Sequence, residues 1–312
     1  MHELPQIHTK AGLPERVRIY EVGARDGLQN EKTIIGLDTK VEFIERLVAA
    51  GLPIVEATSF VHPDWVPQLA DAAEVVARLP LDGPVPLPVL VPNERGLARA
   101  LEAGCRHIAI FASATETFAQ KNLNSSFSEQ FDTFKPVVDR AVGAGVDVRG
   151  YVSMCFGDPW EGRVAIDQVV ETGLSLFELG INELSLGDTI GVGTPGHVHE
   201  LIAAFGDAGV KSDRLAMHFH DTYGQALANT YAALEASITT FDSSAGGLGG
   251  CPYAKSATGN LATEDLVWML NGLGIEHGVD LDALVSTSTW MAGKLGRPSP
   301  SAVVRALRGV SE

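Results

Sequence analysis

Apolar and polar positions along this chain alternate between two periods. Short runs of aliphatic and β-branched residues recur at 17–22, 54–58, 87–91, 106–112, 146–153, 183–186, 215–220 and 240–244, and these lengths predict strands. Between them, 71–79, 94–103, 128–143, 166–179, 194–208 and 226–236 carry apolar residues at helical spacing, and 263–271 supplies a helix after the last strand. The first helix shows the logic in detail. Val41, Ile44, Leu47 and Val48 make one apolar stripe, Thr39 and Glu42 have the spacing of a capping box, and Gly51 ends it. Strands that alternate with helices imply a parallel sheet covered by helices. Eight such units predict an α/β fold of the (β/α)8 TIM-barrel type, with the barrel over about 17–275. Helical material from about 280 to 312 is expected to pack on it as a short C-terminal extension, making residues 1–312 a single catalytic domain. The first strand–helix turn has no G-x-G-x-x-G pattern, which weighs against an open dinucleotide-binding sheet and a nucleotide redox cofactor.

In such barrels the chemistry lies where strands end, and unusual polar residues gather there. Arg25-Asp26 follows strand one, Glu56 and Ser59 belong to strand two, and Asp188-Thr189 follow strand six. His218 and His220 end strand seven, two residues apart and so on one face, with Phe219 on the other. A glycine-rich stretch around Cys251 follows strand eight and leads to Asn260. Each has a bland reading. Arg25-Asp26 can be a surface ion pair, Glu56 a structural partner of Arg25, the histidines hydrogen-bonded core residues, the glycines a turn, and Cys251 a small packed hydrophobe. Their convergence on one end of one barrel favours function.

Asp26, His218 and His220 offer one carboxylate and two imidazole donors, and the Asn260 amide oxygen is a candidate fourth. A mixed oxygen and nitrogen set suits an octahedral divalent ion, Mg2+ or Mn2+, better than a thiolate or three-histidine zinc centre. Arg25, adjacent in sequence, can stabilise negative charge developing on a substrate oxygen.

Composition narrows the partners. The chain has 312 residues, 45% hydrophobic and 20% charged, enough for a sizeable core. A formal charge of −16 argues against nucleic acid and anionic membrane surfaces, yet allows a small anionic ligand held by local cations. No apolar run is long enough for a membrane span, and neither end reads as a targeting or lipidation signal, so a cytoplasmic protein is expected. Cys105, Cys155 and Cys251 are too few and too widely spaced for a disulfide framework or zinc knuckle.

Several long motifs, taken together, resemble the 3-hydroxy-3-methylglutaryl-CoA lyase family: 21–31 (EVGARDGLQNE), 56–60 (EATSF), 186–196 (LGDTIGVGTPG), 218–226 (HFHDTYGQA), 247–254 (GLGGCPYA) and 259–265 (GNLATED). The likeness runs in order from Val17 to about Gly274. It implies that Asp26, His218, His220 and Asn260 are metal ligands, that Arg25 stabilises an enolate, and that Cys251 is a catalytic cysteine. Glu56 and Asp188 match acidic active-site residues. Arg25, Gln29, Ser59, Asn122, Tyr151 and Thr189 are the candidate substrate-binding residues, and Lys32, Lys121 and Lys255, in loops, are candidates for the rim facing coenzyme A. The chain departs from the family at Ala24, where many members have proline, in the 153–160 loop expected to border the acyl pocket, and in having no cysteine near its C-terminus.

The reaction so implied is retro-Claisen cleavage of a 3-hydroxyacyl-CoA, here 3-hydroxy-3-methylglutaryl-CoA, to acetoacetate and acetyl-CoA. His218, or a network including Asp188, is the candidate base, and Cys251 or a water it positions is the proton donor. A homo-oligomer, a dimer first, is expected. Rival readings are a Claisen-type synthase, a lyase for a related acyl group, a catalytically silent barrel, and a zinc hydrolase using His218 and His220.

Overall fold

The computed structural model describes residues 4–250 and 259–308. The chain alternates as β1 (Arg18–Glu21), α1 (Leu37–Ala49), β2 (Ile54–Val55), β3 (Thr58–Ser59), α2 (Ala72–Ala77), β4 (Val89–Leu90), α3 (Glu94–Glu102) and β5 (His107–Ser113). It continues as α4 (Glu116–Leu123), α5 (Glu129–Gly143), β6 (Asp147–Ser153), α6 (Ile166–Leu179), β7 (Glu183–Asp188), α7 (Pro195–Asp207) and β8 (Leu215–Phe219). Then come α8 (Ala226–Glu235), β9 (Thr240–Ser243), α9 (Thr263–Leu273), α10 (Leu281–Leu295) and α11 (Ala302–Arg308).

All neighbouring strands are parallel, in the order β2-β1-β9-β8-β7-β6-β5-β4-β3. The two ends of that order are halves of one stretch, so the sheet closes into the predicted barrel. Between the halves, Glu56 N donates to Glu21 O of β1 at 2.8 Å and Ala57 N to Pro88 O at 2.8 Å. The continuous strand expected at 54–58 is therefore split, and the one expected at 87–91 shrinks to two residues. Pro86 and Pro88 are the physical reason: both accept from the second stave, but neither has an N–H to return.

Other departures are local. Helix α1 begins after Gly36 with no side-chain cap, so Thr39 and Glu42 form no capping box; Glu42 accepts from Arg46 one turn on instead. Helix α4, unpredicted, places Lys121 on a helix rather than in a loop. The C-terminal helices pack where expected: Trp290 of α10 lies against Phe43 of α1, ring centroids 6.5 Å apart, with the Arg46 guanidinium 4.6 Å from its ring.

The main apolar core lies between strands and helices, where Ile19, Ile44, Leu47, Val148, Leu186, Phe219 and Phe241 are buried. The barrel interior is different. Apart from a small cluster of Leu90, Ala109 and Tyr151, with Phe111 against it, the inward positions carry polar side chains. Arg149, Glu183, Ser185, His218 and Asp242 face one another there.

Candidate active site

After β1 the backbone makes a π-helical turn over Gly23–Gly27, in which Gly27 N donates to Val22 O at 3.1 Å. Such turns re-aim side chains at functional sites. Here the turn brings Arg25 and Asp26 to the C-terminal mouth. Arg25 is buried and doubly anchored: Nη1 donates to Asp26 Oδ1 at 2.5 Å, and Nη2 to Glu56 Oε2 at 3.0 Å. Glu56 is held in turn by the Tyr151 hydroxyl at 2.7 Å. The Arg25–Asp26 pair thus lies in the barrel mouth, Arg25 buried and Asp26 half-buried, and is not a surface ion pair.

On the opposite wall, alternation along β8 brings His218 and His220 together, ring centroids 5.3 Å apart. Phe219 points outward onto Phe156. The donor atoms of Asp26, His218 and His220 all lie within 4.8 Å of one another, the one such group among the described residues. Asn260 enters through a backbone bridge to His220, flanked by Asp221 N donating to Gly259 O and Leu261 N donating to Phe219 O. Its Nδ2 donates to Asp26 Oδ2 at 2.9 Å and to Leu248 O at 3.1 Å, while its buried Oδ1 has no hydrogen-bond partner among the described residues. A buried carbonyl oxygen left without a donor beside a carboxylate and two imidazoles is what a cation would satisfy. These residues fit a hard divalent ion.

Charge is arranged to match. Burial works against the Asp26 carboxylate, but Arg25 and the two histidines outweigh it and hold it down at about 2. Burial, with His218 beside it, pushes His220 down to about 4, which keeps its ring neutral at pH 7. Burial also opposes protonation of His218, yet Asp242 prevails and raises it.

A cavity of about 550 Å³ joins these groups, lined by Arg25, Asp26, His218 and His220. All of the other substrate-binding candidates, Gln29, Ser59, Asn122, Tyr151 and Thr189, line it too. Lys121 reaches the wall from α4, its ammonium 5.0 Å from the Trp160 ring centroid. Lys32 is exposed outside that wall. Of the 153–160 loop only Ser153 lines the cavity, because Cys155 and Phe156 turn into the core. Cys251 and Lys255 lie outside the described residues, although Gly250 lines the cavity. Gly249, at φ +111°, shows why that segment needs glycine: a Cβ there would lie 2.7 Å from Asn260 Nδ2.

Asp188 stands apart. Its oxygens accept from Val192 N at 2.9 Å and Gly193 N at 3.0 Å, and burial raises it to about 6. It faces the loop behind the wall while Gly187 and Thr189 face the cavity. Sequence reasoning missed Asp242 and Arg149. Their signal was a charged residue at an inward position of a strand, as in Thr240-Phe241-Asp242-Ser243.

A closed parallel barrel with an Asp–His–His cradle and a buried guanidinium at its C-terminal mouth defines a (β/α)8 enzyme. More narrowly, a family profile described as HMGL-like matches residues 16–291, and the chain belongs to that family. The mitochondrial hydroxymethylglutaryl-CoA lyase of Arabidopsis thaliana is 52% identical over 297 residues, which is 95% of this chain and 63% of that protein, so the chain spans less than two thirds of that relative. The crystal structure of hydroxymethylglutaryl-CoA lyase from Pseudomonas aeruginosa is 48% identical with a TM-score of 0.93, covering 96% of this chain and 100% of that one. An HMG-CoA lyase from Acinetobacter baumannii in complex with coenzyme A and 3-methylmalate is 34% identical with a TM-score of 0.89, covering 96% and 97%.

Proposed function

We propose that this protein cleaves 3-hydroxy-3-methylglutaryl-CoA to acetoacetate and acetyl-CoA. The observation that carries the reading is a buried guanidinium and a three-residue cation cradle sharing one cavity. The half-identical lyases, and the related structure holding coenzyme A, support the acyl-CoA substrate. A divalent ion, Mg2+ or Mn2+, held by Asp26, His218, His220 and Asn260 would supply Lewis acidity at the substrate 3-hydroxyl. The hydroxyl proton passes to a water on the histidine side of the cavity, because the one lone pair of His218 is offered to the cation, while the Asp188 oxygens accept from Val192 N and Gly193 N behind the wall. The oxygen lone pair then forms the ketone as the carbon–carbon bond breaks, and that bond's electron pair passes to a thioester enolate. Arg25 faces the enolate with a guanidinium fixed by Glu56 and Asp26, so its charge is in place before the bond breaks. Cys251, or a water it positions, returns a proton to give acetyl-CoA. Gln29, Ser59, Asn122, Tyr151 and Thr189 shape the acyl and thioester pocket, and Lys121 supports the anionic end of coenzyme A.

The chain acts, in this reading, as one catalytic domain over 1–312, in a homodimer in the cytoplasm. Among the described residues no helix is long and apolar enough to cross a membrane. The test is product analysis with a panel of 3-hydroxyacyl-CoA thioesters after chelation and metal return. Equal yields of acetoacetate and acetyl-CoA, lost on chelation and restored by Mg2+ or Mn2+, are expected. Free coenzyme A without carbon–carbon cleavage would turn the reading to a hydrolase, and full activity in metal-free enzyme would remove the cation from it.

A further inference from the structure

We propose that Asp242 is the positioning residue of the cation cradle: its carboxylate, locked by Arg149 and Ser185, keeps a proton on Nδ1 of His218 and so presents Nε2 to the cation. This rests on the metal reading above.

Asp242 Oδ1 accepts from Arg149 Nη2 at 2.6 Å. Its Oδ2 accepts from Arg149 Nη1 at 3.2 Å and from Ser185 Oγ at 2.8 Å, and lies 3.2 Å from His218 Nδ1. An ionised carboxylate offers about four acceptor sites and no donor. Four protein contacts converge on it, one at Oδ1 and three at Oδ2. Since the carboxylate cannot donate, the contact with His218 requires the hydrogen on Nδ1, and a neutral ring then has its one lone pair on Nε2. The opposite tautomer would set lone pairs against each other inside the barrel.

Asp242 is also prevented from turning away. The Arg149 guanidinium that grips it lies between two aromatic rings, 3.9 Å from the Tyr20 centroid and 4.8 Å from that of Tyr151. Its Nε donates to Glu183 Oε1 at 2.7 Å. Arginine, carboxylate and imidazole thus form a stack of fixed orientation rising along the barrel axis to the cradle. Outer partners of this kind fix the ring and tautomer of metal-binding histidines.

The second histidine lacks such a device. His220 Nδ1 is buried with no hydrogen-bond partner among the described residues. The cradle is therefore asymmetric: a carboxylate sets the His218 ring, whereas His220 has only Asn260 and the Thr189 backbone as hydrogen-bond partners among the described residues. A pure packing role for Asp242 does not account for this, because packing alone does not choose between the ring nitrogens.

Mn2+ binding to the metal-free full chain, followed by the electron paramagnetic resonance signal of free Mn2+, tests the inference. Asp242→Asn keeps the size but puts a donor where an acceptor must be, and should weaken Mn2+ binding tenfold to a hundredfold, in line with losses of about that size for such outer partners. In a His218→Ala background the same substitution should weaken it no further. Equal weakening in both backgrounds would show a general effect on the barrel and overturn the role. So would unchanged affinity in Asp242→Asn alone. If the wild type takes up no Mn2+, the metal reading falls and this inference with it. Because Asp242→Asn leaves Arg149 short of an acceptor and can impair folding, nitrogen NMR of labelled histidine in the unsubstituted protein gives a second readout. The His218 signals, assigned by their loss in His218→Ala, should show the proton on Nδ1, and a proton on Nε2 instead overturns the proposal.

Discussion

The carboxyl groups buried on the two faces of the barrel wall are held by opposite means. On the lumen side and at the mouth, Asp242 and Asp26 meet guanidinium groups and imidazoles, and both are shifted down despite their burial. On the helix side, Glu21, Asp188 and Glu264 have only backbone N–H groups and hydroxyls. Glu21 accepts from Gly23 N at 2.7 Å, Ala245 N at 2.8 Å and Thr263 Oγ1 at 2.6 Å. Glu264 accepts from Gly246 N at 2.8 Å and from the Ser288 hydroxyl. Burial raises Glu21 to about 7 and Glu264 to about 8. Asp242, Glu21, Asp188 and Glu264 are buried alike, and the partner decides the charge. The lumen keeps formal charge where a cation and a polar substrate would use it. The helix side raises its carboxyls toward the neutral form, Glu264 furthest, and Glu21 and Glu264 tie the segment after β9 to α9 and α10.

The comparison breaks most readily if cationic and neutral partners turn out to be worth the same. Arg149→Met leaves Asp242 and Glu183 without their shared cation, and removing one member of a buried ion pair costs about 3–5 kcal/mol. Ser288→Ala removes one hydroxyl from Glu264 and should cost about 1 kcal/mol. Urea unfolding of both at pH 7 decides it. Similar losses would mean that the lumen network is no more than ordinary polar packing.

Arg25 sharpens the same contrast on the catalytic side. If its charge acts on the enolate, Arg25→Met should lower turnover on the order of a hundredfold or more while Mn2+ binding stays near wild type. Arg25→Lys should not restore it, because a single ammonium cannot span both Asp26 and Glu56 as the fork does. Near-normal turnover with a loss of stability would reduce Arg25 to a structural partner of Glu56.

Residues close in sequence were the legible part of this site. The two-residue spacing of His218 and His220, and the adjacency of Arg25 and Asp26, needed only the strand period and a strand end to be read. The barrel itself followed from eight repeats of one pattern, because helix-facing positions such as Ile19, Leu186 and Phe241 are apolar. The lumen resisted. Arg149 and Asp242 lie 93 residues apart on strands that are not neighbours, so no local spacing joins them. Asp188 was hard to read in a different way: a carboxylate at a strand end looks the same in sequence whether it turns to the cavity or behind the wall. Helix α4 was hidden because its stop is Asn124 in the left-handed region, a weaker signal than glycine.

The neutral side can be tested directly through its pH dependence. Glu264 ordinarily titrates near 4.5 and is raised to about 8 in the folded protein, chiefly by burial, with Glu21 adding to it. Between those values the folded chain keeps a proton that the unfolded chain has lost. Stability must then fall as pH rises through this window, by at most about 1.4 kcal/mol per pH unit for one such group, and level off above the folded value. Glu264→Gln puts a permanently neutral group in the same place and removes that slope. Urea midpoints of wild type and Glu264→Gln at pH 5, 6, 7 and 8 isolate it, because Glu21, Asp188 and the cradle residues titrate in both proteins and largely cancel in the difference. The wild type should lose stability relative to the variant as pH rises. A difference that stays flat across the window would mean that Glu264 is ionised on folding, leaving the lumen and the helix side without the contrast drawn between them.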